Sequence, residues 1–256
     1  MSAHGAVLFP GQGSQALGMG LDLAAEDAAA ATVLALAEST LGLPLRAILG
    51  GADAAALDRT DVCQPAILAV SLAALAALER RGLIRREQVA GVAGLSLGEY
   101  SALAWAGALT PASALRLVRL RGQAMQRASE ERPSGMLSLV GATETTAQAL
   151  CAEAAGEGVL VVANLLGPNQ IAVSGTDDAL GRAQGLLAKH GIRKAVRLPV
   201  AGAFHSPCMA SAAAALAEAL AATEIARPSV PVVMNVSAKP TDDPETIRDL
   251  LRRQLT

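Results

Sequence analysis

Apolar residues recur along this chain in two rhythms, and the switches between them outline its elements. Residues 6–9 form a short apolar run stopped by Pro10-Gly11, which predicts a first strand. Residues 28–41 and 65–81 carry helical periodicity, the second ending at Glu79-Arg80-Arg81-Gly82. A second apolar run over 89–95 leads into the turn Gly94-Leu95-Ser96-Leu97-Gly98, and a helix over 99–106 follows. Pro111 opens a further helix to about residue 128.

Residues 129–135, with Pro133 and Gly135, read as a linker. After it come a strand over 136–141, a helix over 143–155, strands over 159–164 and 170–174, a helix over 177–189 and a strand over 195–198. That β-α-β-β-α-β order is the ferredoxin-like signature. The expected fold is α/β. A larger α/β-hydrolase-like domain with a parallel sheet, from 1–128 and 200–256, carries an inserted ferredoxin-like subdomain over 129–199. Asp177 and Asp178 head a helix, where N-capping is their expected job.

Composition narrows the function classes. The net charge is −2 and aromatic residues are 2% of the chain, so neither a basic surface nor stacking platforms argue for nucleic acid. Cys63, Cys151 and Cys208 are scattered and form no CxxC pair, which predicts a reduced, cytoplasmic protein with no zinc site. The N-terminus lacks the pattern of a signal peptide. The apolar stretch 65–78 is shorter than the roughly 20 residues a bilayer span needs, so a buried helix is expected rather than membrane insertion.

Gly94-Leu95-Ser96-Leu97-Gly98 lies between an apolar run and a helix, the setting of a nucleophile elbow. There the Ser96 hydroxyl would sit at a helix N-terminus, with the Leu97 N–H facing a developing oxyanion. The bland alternative is a small-residue turn. A serine needs a base, and histidine is the usual one near neutral pH. His4 lies in the N-terminal tail and His190 at a helix C-terminus, where a cation is favourable anyway. His205, in the small-residue loop Gly202-Ala203-Phe204-His205-Ser206-Pro207, is left as the candidate. Arg121 falls at the centre of the apolar arc of its helix, so it needs an anionic partner. That partner is either a protein carboxylate or the carboxylate of a substrate. Gly11-Gln12-Gly13-Ser14-Gln15-Ala16 superficially fits a dinucleotide fingerprint, but Pro10 interrupts the turn and no acidic strand end follows. It reads better as a pocket wall.

Together these segments resemble the malonyl-CoA:acyl-carrier-protein transacylase family. Phe9-Pro10-Gly11-Gln12-Gly13-Ser14-Gln15 with Gly18-Met19-Gly20, the elbow Gly94–Tyr100, Leu120–Gln126, Ala163-Asn164 and Gly202–Met209 follow one another as the family's blocks do, from residue 6 to 255. The resemblance implies a malonyl-serine on Ser96 and His205 as base. It implies an oxyanion hole from the Gln12 and Leu97 N–H groups, and a Gln254 backbone carbonyl that orients the histidine. Arg121 would hold the malonyl carboxylate, with Asn164 and Phe204 beside the substrate. It implies no resident cofactor: coenzyme A arrives as the substrate thioester, and the partner, an acyl carrier protein, brings the phosphopantetheine. A monomer is expected.

The sequence departs from the family's pattern in three places. Leu95 replaces the usual histidine of the elbow, Leu166 stands where many relatives have a second asparagine, and relatives continue past the Gln254 region, so the C-terminus reads as truncated. The competing activities are a trans-acting polyketide-synthase acyltransferase, the transferase subunit of malonate decarboxylase, a serine hydrolase or thioesterase, and a non-catalytic carrier-binding module.

Overall fold

The computed structural model describes residues 5–256, so His4 lies outside the described residues. The fold is mixed α/β, and it divides into two compact units. Among the described residues, one comprises 5–123 and 216–254, the other 124–215 and 255–256.

The larger unit is built on a four-stranded sheet of β1 (Gly5–Phe9), β2 (Val89–Gly94) and, from later in the chain, β7 (Val232–Met234) and β8 (Lys239–Thr241), in the order β1-β2-β7-β8. β1, β2 and β7 are parallel, whereas β8 folds back antiparallel on β7, so the expected parallel sheet carries one reversed edge strand. Five α-helices and a 3₁₀ turn (Arg86–Gln88) connect β1 to β2: the helices are α1 (Leu21–Glu26), α2 (Ala28–Leu41), α3 (Leu45–Leu49), α4 (Ala54–Asp58) and α5 (Thr60–Arg80). Asp27 caps α2 by accepting from the N–H groups of Ala29 and Ala30, and Gly42, at φ 63°, ends it. The buried Asp27 carboxylate also receives Arg80 and Arg81 from the end of α5, and these hydrogen bonds hold its carboxyl well below the usual range.

The first helical turns of α5 were not legible. The helix begins at Thr60, and Pro65 lies inside it rather than at its start. Proline has no N–H to donate to the carbonyl four residues back. Here that carbonyl, on Asp61, accepts from Arg119 Nη1 instead, and the same arginine pairs with the Asp61 carboxylate at 3.0 Å. By length and composition α5 could cross a bilayer, yet most of its apolar window is buried in the fold.

α6 (Gly98–Trp105) follows β2, and α7 (Pro111–Glu131) follows α6. α7 extends to Glu131, so the expected 129–135 linker shrinks to Arg132-Pro133. The smaller unit contains β3 (Ser134–Val140), α8 (Glu144–Ala154), β4 (Leu160–Gly167), β5 (Gln170–Thr176), α9 (Asp177–Leu186) and β6 (Lys194–Arg197). Its sheet is antiparallel throughout, in the order β4-β5-β3-β6. Leu137, Leu139, Leu150, Ile171, Val173 and Leu180 form the core between sheet and helices. Asp177 and Asp178 are not caps. Thr176 occupies the cap position, and the two aspartates sit in the first turn, paired with Arg197 and Arg182. α10 (Ala210–Ala221) leads back to the larger unit, which α11 (Pro244–Arg253) closes. The chain passes from the larger unit to the smaller within α7 and returns within α10.

Candidate active site

The turn after β2 has no room for side chains at its two glycines. A Cβ on Gly94 would lie 2.0 Å from the Gly98 carbonyl carbon, and one on Gly98 would lie 2.6 Å from the Phe9 carbonyl oxygen. Both positions therefore require glycine, and the small-residue turn is an elbow. Between them Ser96 adopts φ 53°, a left-handed conformation that a non-glycine residue keeps only when its surroundings enforce it. Asn235 enforces it: its Oδ1 accepts the Ser96 N–H at 2.7 Å and its Nδ2 donates to the Gly94 carbonyl at 2.7 Å. Leu97, fully buried, forms the cap of α6, and among the described residues its N–H has no acceptor. Ser96 thus stands half-buried at the start of a helix, the position in which a hydroxyl attacks and an adjacent N–H receives an oxyanion.

Arg121 is fully buried on α7. Its Nη1 donates to Gln64 Oε1 at 2.7 Å, and its Nη2 donates to Ser96 Oγ at 2.8 Å and to Gln254 Oε1 at 2.9 Å. All three acceptors are neutral, and among the described residues no carboxylate reaches ion-pair distance of Arg121. The guanidinium carbon lies 5.8 Å from the centre of the Tyr100 ring. Burial lowers the Arg121 pKa from its ordinary value, but a guanidinium remains charged in proteins. A buried cation with only neutral acceptors, one of them the nucleophile, offers an anion a place next to Ser96.

Gln64 links Arg121 to the glycine-rich loop, for its Nε2 donates to Gln12 Oε1 at 3.2 Å. Gln12 in turn donates to Thr60 Oγ1 at 3.4 Å. Gln254, 5% exposed, contacts this site through its side chain: besides accepting from Arg121, its Nε2 donates to the Ser96 carbonyl at 3.0 Å and to Glu99 Oε2. Sequence reasoning missed Gln64, Glu99 and Asn235. Two of them left a signal: Gln64 is a lone amide beside the apolar run that Pro65 opens, and Glu99 lies within the elbow block Gly94–Tyr100.

The remaining candidates lie in the smaller unit. His205 sits at φ 57° in a loop fixed by its neighbours. Ala203 N–H donates to Ser134 Oγ at 3.1 Å, Ser206 Oγ donates to the Ala203 carbonyl at 2.6 Å, and Phe204 is buried. Asn164 lies half-buried on β4 beside a register shift. His190 bonds Glu153 at 3.0 Å, as an ordinary surface histidine does. Burial pushes the Cys63 thiol up to about 12 and the Cys151 thiol to about 11, which removes both as nucleophiles at neutral pH.

The acyl transferase domain family model matches residues 7–255. The malonyl CoA-acyl carrier protein transacylase of Escherichia coli K12 is 38% identical over 250 residues, covering 98% of this chain and 80% of that protein. The mitochondrial malonyl-CoA-acyl carrier protein transacylase of Homo sapiens is 39% identical over 257 residues, covering 97% of this chain and 66% of that protein. Among solved structures, the transacylase from Coxiella burnetii superposes with a TM-score of 0.95 at 36% identity, covering 100% of this chain and 80% of that one. A type II polyketide malonyl-transacylase, solved in complex with its acyl-carrier protein, superposes at 0.93 with 36% identity, covering 99% and 81%. With an elbow serine that a buried arginine contacts directly and this likeness over residues 7–255, the chain belongs to the malonyl-CoA:acyl-carrier-protein transacylase family of acyl transferase domains.

Proposed function

We propose that this enzyme moves a malonyl group from coenzyme A to the phosphopantetheine thiol of an acyl carrier protein, through a malonyl ester on Ser96. The observation that carries this reading is the hydrogen bond from the fully buried Arg121 to Ser96 Oγ at 2.8 Å, with no carboxylate among the described residues at ion-pair distance of the arginine. Malonyl thioesters bring the missing carboxylate.

In the first half-reaction Ser96 Oγ attacks the thioester carbon while His205 takes its proton. The tetrahedral oxyanion is received by the N–H groups of Leu97 and Gln12. The C–S bond then breaks, and the coenzyme A thiolate leaves with the proton from His205. In the second half-reaction the carrier's thiol gives its proton to His205 and attacks the ester, Ser96 regains its proton, and malonyl-carrier departs. Arg121 grips the distal carboxylate throughout by a two-point contact. Asn164 and Phe204 border the substrate, and the Gln254 carbonyl orients His205.

The same reading supplies the finer fold names. The antiparallel order β4-β5-β3-β6, with α8 and α9 on one face, supports a ferredoxin-like subdomain. A serine on the turn between β2 and α6 supports an α/β-hydrolase-like larger domain.

Intact mass after mixing with malonyl-CoA tests the proposal. A malonyl adduct is expected on the wild-type chain and none on Ser96→Ala. An adduct of equal yield on the variant removes Ser96 from the mechanism. Adding a holo carrier protein should move the adduct to the carrier, whereas release of free malonate alone would make the enzyme a hydrolase.

A further inference from the structure

Glu99 is 1% exposed and lies one turn beyond the nucleophile. Its two oxygens serve different partners. Oε1 accepts the Asn235 main-chain N–H at 2.5 Å, and Oε2 accepts from Gln254 Nε2. Each partner then reaches back to Ser96 from the opposite side. Asn235 takes the Ser96 N–H, and Gln254 donates to the Ser96 carbonyl. Gln254 also accepts from Arg121 Nη2, the atom that donates to Ser96 Oγ.

The chemistry of the side chain matters. Once ionised, the carboxylate has two acceptor oxygens and no donor, so it can receive both N–H groups at once. A glutamine in its place would turn an NH₂ toward one of those donors. Asn235 alone has no such hold on its own backbone, and Gln254 alone can rotate about three side-chain bonds. Left-handed Ser96 persists only where its surroundings over-determine it.

The geometry points to Glu99 as a positioning residue: acting through Asn235 and Gln254, its carboxylate holds the Ser96 backbone at both ends and sets the placement of the nucleophile against the Arg121 guanidinium. This inference rests on the roles of Ser96 and Arg121 proposed above. It also assigns separate tasks to the two arms. The Asn235 arm holds only the elbow, so it serves every acyl group. The Gln254 arm also holds Arg121, so it serves the acyl group that carries a carboxylate.

The test is acylation of the full chain by malonyl-CoA and by acetyl-CoA, read by intact mass over time, for wild type, Glu99→Gln, Asn235→Ala and Gln254→Ala, with Tm for each. Misplacing a reacting group by about 1 Å costs on the order of 10²-fold. Glu99→Gln should lose rate on both thioesters at that scale and lower the malonyl-to-acetyl ratio. Asn235→Ala should slow both equally, leaving the ratio unchanged. Gln254→Ala, which retains its main-chain carbonyl, should lower the ratio. A Glu99→Gln enzyme with wild-type rates, or one with lowered Tm and an unchanged ratio, overturns the inference. If Glu99→Gln does not fold, the single-arm variants decide: different ratios support the inference, and identical ratios overturn it. The wild-type arm separates the two levels. No Ser96 adduct there defeats the proposed function, whereas a normal adduct with an indifferent Glu99→Gln defeats only the role of Glu99.

Discussion

Arg121 Nη2 donates to Ser96 Oγ at 2.8 Å, so the buried cation rests on the nucleophile itself. On the proposed function, the substrate carboxylate takes over part of that guanidinium, which frees the serine hydroxyl as the substrate docks. Arg121→Ala should therefore depress malonyl transfer far more than acetyl transfer. Losing a buried charge-assisted pair costs about 2–5 kcal/mol, which corresponds to a selective loss of roughly 30- to several-thousand-fold. Arg121→Lys should recover little, because an ammonium cannot make the planar two-point contact. Equal losses on both thioesters with a lowered Tm would show the arginine to be structural.

Gln64 joins Arg121 to Gln12, which makes it the next residue to vary. Gln64→Leu keeps the bulk but strands Arg121 Nη1, at a cost of about 1–3 kcal/mol for an unsatisfied buried donor. Tm should fall, and KM for malonyl-CoA should rise more than KM for acetyl-CoA. A variant with unaltered KM for both would show that Gln64 does not support the clamp.

The histidines offer a paired control. With His205 as general base, His205→Ala should slow acylation by about 10²–10⁴-fold. His190 bonds Glu153 on the surface of the smaller unit, and His190→Ala should leave the rate within a factor of two or so of wild type. Comparable damage from both variants would refute the assignment of the base.

Glu99 links pH to stability. Burial raises its carboxyl from 4.5 to about 7, opposed by hydrogen bonds from Asn235 and Gln254 and by the charge of Arg121. Arg121 from α7 is the cation that faces it, Tyr100 flanks it on its own helix, and Asn235 and Gln254 are neutral. A raised acid pKa means the folded state holds the proton more tightly than the unfolded chain. The stabilisation is complete below 4.5 and is lost as pH rises through about 7. Between those limits the Tm of wild type should fall relative to that of Glu99→Gln. Parallel Tm profiles for the two proteins would count against a proton on Glu99.

The chemistry of the larger unit was legible where it depends on local pattern. Ser96 is marked by two glycines that cannot be anything else, and Arg121 by its misplaced charge on an apolar arc. Glu99, Asn235 and Gln64 were not, because their meaning lies in partners far along the chain. An acid in the first turn of a helix is ordinary in itself, and Asn235 follows its strand by more than a hundred residues from the serine it holds. The same contrast runs through the fold. α2 was readable from its helical periodicity over 28–41, whereas the start of α5 was hidden because Pro65 suggests a first turn. The short helices α1, α3 and α4 have too few residues to display a period.

The gap that Pro65 opens in α5 serves as a registration mark. The Asp61 carbonyl left without its helical donor is a socket that Arg119 of α7 fills, which ties the two helices together at this level. Gly122, where a Cβ would lie 2.6 Å from the Thr60 carbonyl oxygen, lets the backbones close to that setting. Arg119 precedes Arg121 by two residues, and Asp61 precedes Gln64 by three. Seating the first pair therefore brings together the second, Arg121 with Gln64 at 2.7 Å, beside Ser96. A break in one helix's hydrogen-bonding thus acts as the jig that sets the reach of the arginine, and a residue that restored the missing amide would compete for the socket and let the two helices slip.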